Sequence, residues 1–418
     1  MAYRLNQTMV KNALALYGVK GLEVALPLIT TPFLARVLEP NQWGILLLVQ
    51  TILSWLNLVV AYGFDFSASR SLASDSSRGE AIAAGILGAK AILIGLSLLI
   101  LLILGWSIPI LSDSGALLAS AGLLIVVSGL SSLWYFIGLE QANRIVGITL
   151  LGRTMSTFAV FVLVRYPSDG WLVLIAQALG LLMVQVYGLG LMYRHLRFRL
   201  PRKSETLQAL KDGFQIFAAN SVSSWVVGLP VLLLGIWVTP VMVGFYGGAD
   251  RIVKMVSGVV AMPLVQLVHP RVANLRANNR IQGDRMAYLG LIGVGLVTSG
   301  IAVLVALLAH PIVIMFLGRD YEATIPVLRL LSPLILLFSV NGLLWTLWIL
   351  PMGKWPIMLW MVALECAAFV FLSLPLIQHW GLEGMAILAV ATQAITVSTY
   401  LLIVLKNFRL RVLPDLMK

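Results

Sequence analysis

The residues of this sequence that could do chemistry are ionisable side chains placed inside long apolar runs. The basic ones are Lys20, Lys90, Arg153, Arg251, Lys254 and Arg329, and the acidic ones are Glu23, Asp250 and Glu365. A charged side chain that faces hydrocarbon costs several kcal/mol, so these residues should face a protein interior or a water-filled cavity. Because bases outnumber acids, a cavity that they line together would be positive and would favour an anion.

The residue types suggest which anion and which coupling chemistry to expect. The planar fork of an arginine donates two hydrogen bonds at once to phosphate or pyrophosphate and keeps its charge when buried. The three acids are candidates for coupling to a proton or another cation. Structural pairing is the alternative for two pairs, because Lys20 and Glu23 are spaced i,i+3 and Asp250 and Lys254 are spaced i,i+4. The other four basic residues have no acid at such a spacing to pair with. They are Lys90, Arg153, Arg251 and Arg329.

The first apolar run positions two of these charges. It extends from Ala13 to Arg36, and about 24 residues suffice to cross a hydrocarbon core of about 30 Å. Pro27 and Pro32 lie within it and predict a bend, because each removes a helical hydrogen bond. We interpret these prolines, together with Pro230 in a later run, as a hinge or gate.

The composition indicates an all-α polytopic membrane protein. The chain of 418 residues is 60% hydrophobic and only 11% charged, with a mean hydropathy of +0.96. Soluble domains are about 25% charged. A net charge of +12 would suggest nucleic acid as the partner of a soluble protein, but here the basic residues are expected to mark one side of the membrane.

The sequence contains no recognisable catalytic or metal-binding pattern. Its single cysteine, Cys366, allows no intrachain disulfide, and its four histidines have no metal-binding spacing. There is no GxxxxGK phosphate-binding loop. We therefore predict a protein that is not an enzyme and has neither a metal nor another cofactor.

Twelve membrane spans are predicted, and an even number places both termini on one side. The spans are 13–37, 44–63, 81–111, 116–138, 145–165, 170–193, 214–238, 241–267, 286–317, 323–350, 355–376 and 380–405. The terminal segments and the loops on their side hold twenty Lys and Arg residues, whereas the opposite loops hold only Arg165 and Arg319. This asymmetry predicts cytoplasmic termini.

The longest basic loop divides the chain. We predict an N-terminal six-helix lobe at 1–193, a cytoplasmic linker at 194–213 and a C-terminal six-helix lobe at 214–418. The basic linker is interpreted as a topology anchor on anionic lipid headgroups, and binding to a cytoplasmic partner is the alternative.

The two halves carry related turns. Pro40 and Gly44 lie four residues apart between the first two spans, and Pro240 and Gly244 repeat this spacing 200 residues later. Duplicated halves of six helices would be related by an axis along the membrane normal and could rock about a central cavity. This is the architecture of a transporter.

Several segments resemble a known family, the Wzx-type O-antigen flippases. These belong to the polysaccharide-biosynthesis branch of the multidrug/oligosaccharidyl-lipid/polysaccharide (MOP) superfamily. The segments that carry the resemblance are Pro27–Gly44, Tyr62–Arg70, Trp134–Glu140, Tyr246–Lys254 and His269–Arg271. They follow the order of the family's motifs after the first, second, fourth and eighth helices.

The resemblance implies a flippase of the bacterial inner membrane for undecaprenyl-pyrophosphate-linked oligosaccharide. It implies alternating access between two lobes, with the cationic set holding the pyrophosphate and coupling to H⁺ or Na⁺ through the acids. A polysaccharide polymerase and a chain-length regulator would be its protein partners.

Two other functions stay open at this stage. A multidrug or cation antiporter of the same superfamily would require a net acidic cavity. A membrane polymerase of the same pathway would require a large arginine-rich external loop, and only Arg165 and Arg319 are predicted to be external.

Overall fold

The computed structural model describes the backbone of residues 2–416 and the side chains of residues 26–218, 221, 227–260, 263–354 and 356–406. The regular elements within this backbone are helices, with no strand among them. Long apolar helices are expected in hydrocarbon because a helix pairs its own backbone hydrogen-bonding groups. The predicted all-α fold is therefore confirmed.

Among the described residues, nine helical stretches are long and apolar enough to cross a membrane. Two of them include a long helix with a kink at a residue whose backbone angles are not helical. Leu26–Ser74 is broken at Glu39 (φ 57°, ψ 166°), and Pro356–Lys406 is broken at Gly381 (φ 58°, ψ −137°). Val227–Trp237 is a shorter apolar helix. The protein is thus a multi-pass membrane protein, while the count of twelve spans and the cytoplasmic location of the termini stay predictions.

The chain forms two compact units, and the first ends at Gly244. Its helices are α1 (Ala2–Ala61), α2 (Phe64–Ser74), α3 (Gly79–Ser107), α4 (Pro109–Ser112), α5 (Gly115–Gly129), α6 (Leu133–Gly138), α7 (Asn143–Leu163), α8 (Gly170–Tyr193) and α9 (Lys203–Trp237). Buried aromatic residues of α2 and α6, among them Phe64, Trp134 and Phe136, form a core with Leu72 and Met192. These side chains hold the ends of α2, α6 and α8 together.

Glycines set the closest helix contacts in the first unit. A Cβ added to Gly152 of α7 would lie 2.5 Å from the carbonyl oxygen of Gly180 in α8. Without side chains at these two positions, the helices can approach until their backbones touch.

Helix α9, the predicted seventh span, packs along α1, α2 and α3 within this unit. Phe217 stacks on Tyr62 with ring centroids 4.7 Å apart, and Gly228 lies against Thr51 and Trp55. The compact unit therefore extends well beyond residue 193. The division into two lobes of six helices stays a prediction.

The basic linker before α9 is docked onto α3. Leu196 packs against Gly79, and the backbone N–H of Arg197 donates to Glu80 over 3.2 Å. Arg199 pairs with Glu205 in the first turn of α9. The side chains of Arg194 and Arg197 are exposed, as the predicted contact with anionic headgroups requires.

The second unit begins at Phe245, within α10. Its helices are α10 (Pro240–Asn278), α11 (Arg280–Leu307), α12 (Ala309–Phe316), α13 (Thr324–Leu331), α14 (Pro333–Leu344) and α15 (Trp355–Leu416). Its core contains Val272, Leu343, Trp348 and Tyr400.

The end of α14 passes into a π-helical turn, Trp345–Ile349. Arg276 of α10 donates to the Leu347 carbonyl, pairs with Asp284 of α11 at 2.8 Å and lies 5.5 Å from the centre of the Trp348 ring. A π-turn changes the usual i to i−4 hydrogen bonding. One guanidinium therefore joins three elements at this irregular turn.

The two related Pro-x-x-x-Gly turns meet within the first unit. Gly44 lies against the Pro240 carbonyl, and Gly244 lies against the Pro40 carbonyl. A Cβ added to Gly44 would also lie 2.7 Å from the backbone nitrogen of Gly244. The contact is reciprocal, so the sequence repeat is also a repeat in space.

Substitution tests this contact. Gly44→Ala should force the two backbones apart and lower the free energy of unfolding by about 1–3 kcal/mol, the usual cost of overpacking. Gly95→Ala is the control, because a Cβ at this position in α3 meets nothing within 4 Å. Thermal unfolding in detergent measures both variants. Equal melting temperatures for the two would contradict the tight contact.

Candidate functional site

Lys90 of α3 lies inside the first unit and is only 6% exposed. Its Nζ donates a hydrogen bond to the carbonyl oxygen of Ser131 over 2.6 Å. Ser131 lies in the break between α5 and α6, where a carbonyl has no helical partner. Lys90 also interacts electrostatically with Asp65 of α2. The ammonium group therefore holds three elements of the unit together.

This arrangement corrects one inference from the sequence. Lys90 has no acid within a turn of its own helix, but packing of α2 against α3 brings Asp65 close to it. The fourth predicted span, taken as continuous over 116–138, is interrupted after Gly129. No local pattern signals either feature, because both depend on which helices become neighbours. A polar contact nearby, from the Ser128 hydroxyl to the Asn57 side chain at 2.6 Å, ties α5 to α1.

Four polar residues cluster on two turns of α10 in the second unit. Lys254 Nζ and Asp250 Oδ2 are 2.6 Å apart, so the predicted i,i+4 pair is present. Arg251 and the buried Tyr246 also interact electrostatically with Asp250. These four residues supply two basic groups and one carboxylate.

Glu365 is buried near the middle of the first half of α15. Its Oε1 accepts a hydrogen bond of 2.6 Å from the Thr396 hydroxyl, which lies on the second half of the same helix beyond Gly381. Tyr400 and Cys366 lie close enough to interact with it electrostatically. The structure therefore places a carboxyl group with one hydroxyl donor in the interior of the second unit.

The remaining candidates are dispersed. Arg153 is half-buried on α7 beside the contact between Gly152 and Gly180, and Arg329 is exposed on α13. The side chains of Lys20 and Glu23 lie outside the described residues. Their grouping into one anion site stays a prediction.

The predicted hinge residues lie inside helices. Pro27 and Pro32 belong to α1 and Pro230 belongs to α9, but the abrupt change of direction in α1 is at Glu39, beyond both of its prolines. A hinge role for the three prolines stays a prediction.

Two residues that the site contains were missed from the sequence. Asp65 occurs in a motif that carries the family resemblance, but its pairing with Lys90 is tertiary. Arg276 is one of the basic residues that the charge asymmetry assigns to the cytoplasmic side, and the structure shows that it joins α10, α11 and the π-turn. In the sequence, only the spacing of eight residues between Arg276 and Asp284, on either side of the turn at Asn279, hints that the two side chains could pair.

The sequence matches a known protein family. The sequence profile of a family described as "Polysaccharide biosynthesis protein" matches residues 9–276, which is more than half of the chain. The chain belongs to this family. The resemblance inferred from the motifs is thereby confirmed.

Two relatives of this family member align with most of its chain. A protein named "Putative O-antigen transporter" from Escherichia coli K12 is 25% identical over 343 residues, covering 79% of this chain and 81% of that protein. Another of the same name from Shigella dysenteriae is 24% identical over 409 residues, covering 93% and 98%.

Two solved transporter structures share the fold of this family member. The inward closed conformation of the lipid II flippase MurJ matches with a TM-score of 0.76 at 13% identity, over 95% of this chain and 87% of that chain. An inward-facing multidrug resistance MATE transporter matches with a TM-score of 0.63 at 14% identity, over 90% and 93%.

A double-mutant cycle tests the contact between Lys90 and Asp65. Lys90→Met should lower the free energy of unfolding by about 1.5–3 kcal/mol, because the Ser131 carbonyl loses a charged hydrogen-bond donor and Asp65 loses a nearby positive charge. Asp65→Asn in the same chain should recover much of this loss. Thermal unfolding of the single and double variants measures the coupling. Additive losses would show that the two side chains do not interact.

Proposed function

We propose that this protein is a flippase that moves lipid-linked oligosaccharide across the bacterial inner membrane, with undecaprenyl-pyrophosphate-linked repeat units as its substrate. The observation that carries the proposal is the similarity to an O-antigen transporter over 93% of this chain and 98% of that protein. The fold shared with a lipid II flippase supports it. A polysaccharide polymerase and a chain-length regulator would then receive the exported units.

The cluster on α10 is the best-supported anion site. Arg251 and Lys254 bring two basic groups to the side of Asp250 within one predicted span. A guanidinium can donate two hydrogen bonds to a pyrophosphate, and Lys254 adds a point charge. In this proposal Arg153, Arg329 and Lys20 contribute further positive potential, while Lys90 serves mainly the internal contact with Ser131 and Asp65.

Ion coupling is assigned to the acids within the spans. Glu365 is the strongest candidate, because it is buried and its described hydrogen-bond partner is a hydroxyl group. Asp250 is the second candidate, because its partner could change from Lys254 to Arg251 when the pyrophosphate binds. Glu23 is the third. We propose H⁺ or Na⁺ as the coupling ion.

Alternating access requires a contact that opens and closes. We propose that the glycine contact between the turns at Pro40–Gly44 and Pro240–Gly244 closes the periplasmic end. Backbones that touch without side chains can separate without breaking an ion pair or a hydrogen bond between side chains. Bending at Pro27, Pro32 and Pro230 would accompany the opening.

A multidrug or cation antiporter is the second candidate, because a MATE transporter shares the fold with a TM-score of 0.63. The two basic groups of the cluster on α10 argue against a cationic substrate. The two functions predict different phenotypes, since only loss of the flippase removes surface polysaccharide.

Gene deletion and complementation test the function. Deletion should abolish surface polysaccharide and leave lipid-linked oligosaccharide on the cytoplasmic leaflet, and the wild-type gene should restore export. Polysaccharide gels and extraction of the lipid-linked intermediate measure both quantities. Normal surface polysaccharide in the deletion strain would contradict the flippase proposal.

Arginine replacement tests the anion site in the same strain. Arg251→Gln should reduce export by roughly tenfold or more, because a charge-assisted hydrogen bond to a charged group contributes about 1.5–3 kcal/mol. Arg285→Gln is the matched control, since Arg285 is exposed near the start of α11. Full export by the Arg251 variant would remove the α10 site from the proposal and leave the flippase function standing.

Cross-linking tests the gate. Leu38 is fully buried, so a cysteine there would be inaccessible, whereas Asn41 and Thr239 are exposed beside the glycine contact. Cysteines at these two positions, with Cys366→Ser, should be joined by a flexible bismaleimide and export should stop. Each single-cysteine variant treated in the same way is the control. Cross-linked protein that still exports would place the gate elsewhere.

A further inference from the structure

A pocket of about 430 Å³ lies in the first unit between α2, the start of α3 and the start of α9. Its floor is apolar and buried, with Phe64, Ala68 and Ile86, and its rim is exposed, with Asp75 and Gln208. The pocket is therefore open to the surroundings at the rim. Its volume falls within the range of about 300–1,000 Å³ for small-molecule sites.

Two polar stripes line opposite walls of the pocket. On α2, Ser67 and Ser71 each donate to a backbone carbonyl four residues earlier, over 3.3 and 3.0 Å, so their oxygens keep the capacity to accept. On α9, Ser204, Gln208 and Asp212 recur every fourth residue. The amide of Gln208 uses one N–H on Asp212, at 2.7 Å, which leaves its second N–H and its oxygen for a ligand.

The charge of the pocket disfavours the phosphate end of a lipid-linked substrate. Three carboxylates line it, those of Asp75, Glu205 and Asp212, against the single guanidinium of Arg78. Hydrogen bonds from Ser77 lower the pKa of Asp75, and the hydrogen bond from Arg199 lowers the pKa of Glu205. Both carboxyl groups are therefore ionised at neutral pH, and the carboxylates among the lining residues outnumber the one lining guanidinium.

The same carboxylates do not form a metal site. Asp75 binds Ser77, Glu205 pairs with Arg199, and Asp212 binds Gln208. Within the described parts of the chain, no three His, Cys, Asp or Glu side chains are grouped closely enough to hold a metal ion. A ligand with many hydroxyl groups fits better, because each hydroxyl can donate to a carboxylate or serine oxygen and accept from an amide.

We propose that this pocket binds sugar residues of the oligosaccharide before transport. The proposal rests on the flippase function proposed above. The hydroxyl groups of the sugar bond to the serine, amide and carboxylate groups, and its C–H face lies on the apolar floor at Phe64 and Ile86. The pyrophosphate is bound elsewhere, at basic groups, so the two ends of the substrate are recognised by opposite charges.

Export by pocket variants is the first test. Gln208→Leu should reduce surface polysaccharide by roughly tenfold, because the wall loses its ligand donor and acceptor and fills with an apolar group. Gln215→Leu is the matched control, since Gln215 is an exposed glutamine on the same helix and does not line the pocket. Immunoblots of membranes confirm that both variants are present in equal amounts.

Cysteine protection is the second test and does not depend on folding of the leucine variant. Gln208→Cys and Gln215→Cys, each with Cys366→Ser, are labelled with a water-soluble maleimide in inverted membrane vesicles. The vesicles come from cells that make the lipid-linked oligosaccharide and from cells that lack the transferase adding its first sugar phosphate. Labelling at position 208 should slow at least threefold when the oligosaccharide is present, and labelling at position 215 should not change.

The outcomes separate the two proposals. If the wild-type gene fails to restore surface polysaccharide to the deletion strain, the flippase function is wrong and the pocket assignment fails with it. A second outcome overturns only the pocket assignment. In it the wild type restores export, the Gln208→Leu and Gln215→Leu variants export equally, and the rate of labelling at position 208 is the same with and without the oligosaccharide. Slowed labelling at 208 together with reduced export by Gln208→Leu supports it.

Discussion

The packing of this protein depends on two glycines that allow backbone to touch backbone. Gly44 and Gly244 each lie against the carbonyl of the proline that opens the other's turn, Pro240 and Pro40. Any side chain at either position would collide with main-chain atoms of the other turn. A contact of this kind holds the helices closely and yet contains no side-chain bond that must break when they separate.

Buried charges in this chain follow the rule that each must find a partner inside the protein. Lys90 donates to the carbonyl freed by a helix break and lies near the carboxylate of Asp65, and Lys254 pairs with Asp250 one turn away. Arg276 pairs with Asp284, donates to the Leu347 carbonyl and lies over the Trp348 ring at the π-turn. Lys90, Lys254 and Arg276 are thus all engaged in contacts within the protein.

The chain belongs to the polysaccharide biosynthesis family and shares its fold with a lipid II flippase and a MATE transporter, and both findings support the transporter function proposed above. The proposed substrate has an anionic pyrophosphate and a hydroxyl-rich sugar chain, and the structure offers a site of suitable charge for each. The basic cluster on α10 and the acidic pocket between α2, α3 and α9 lie in different compact units. Separate recognition of the two ends would let one protein select for both the lipid carrier and its sugar.

By itself the sequence determined the membrane class, the helical fold, the family and the repeat of Pro40–Gly44 at Pro240–Gly244, because apolar length, charge asymmetry and fixed spacing are local properties. It also predicted the pair of Asp250 and Lys254, since residues four apart meet on any helix. Only the tertiary structure decided that Lys90 meets Asp65 and Ser131, that Arg276 meets a π-turn, and that serines of α2 face Gln208 of α9. These residues lie 25 to 141 positions apart, and no spacing rule acts over such distances because helix packing chooses the neighbours.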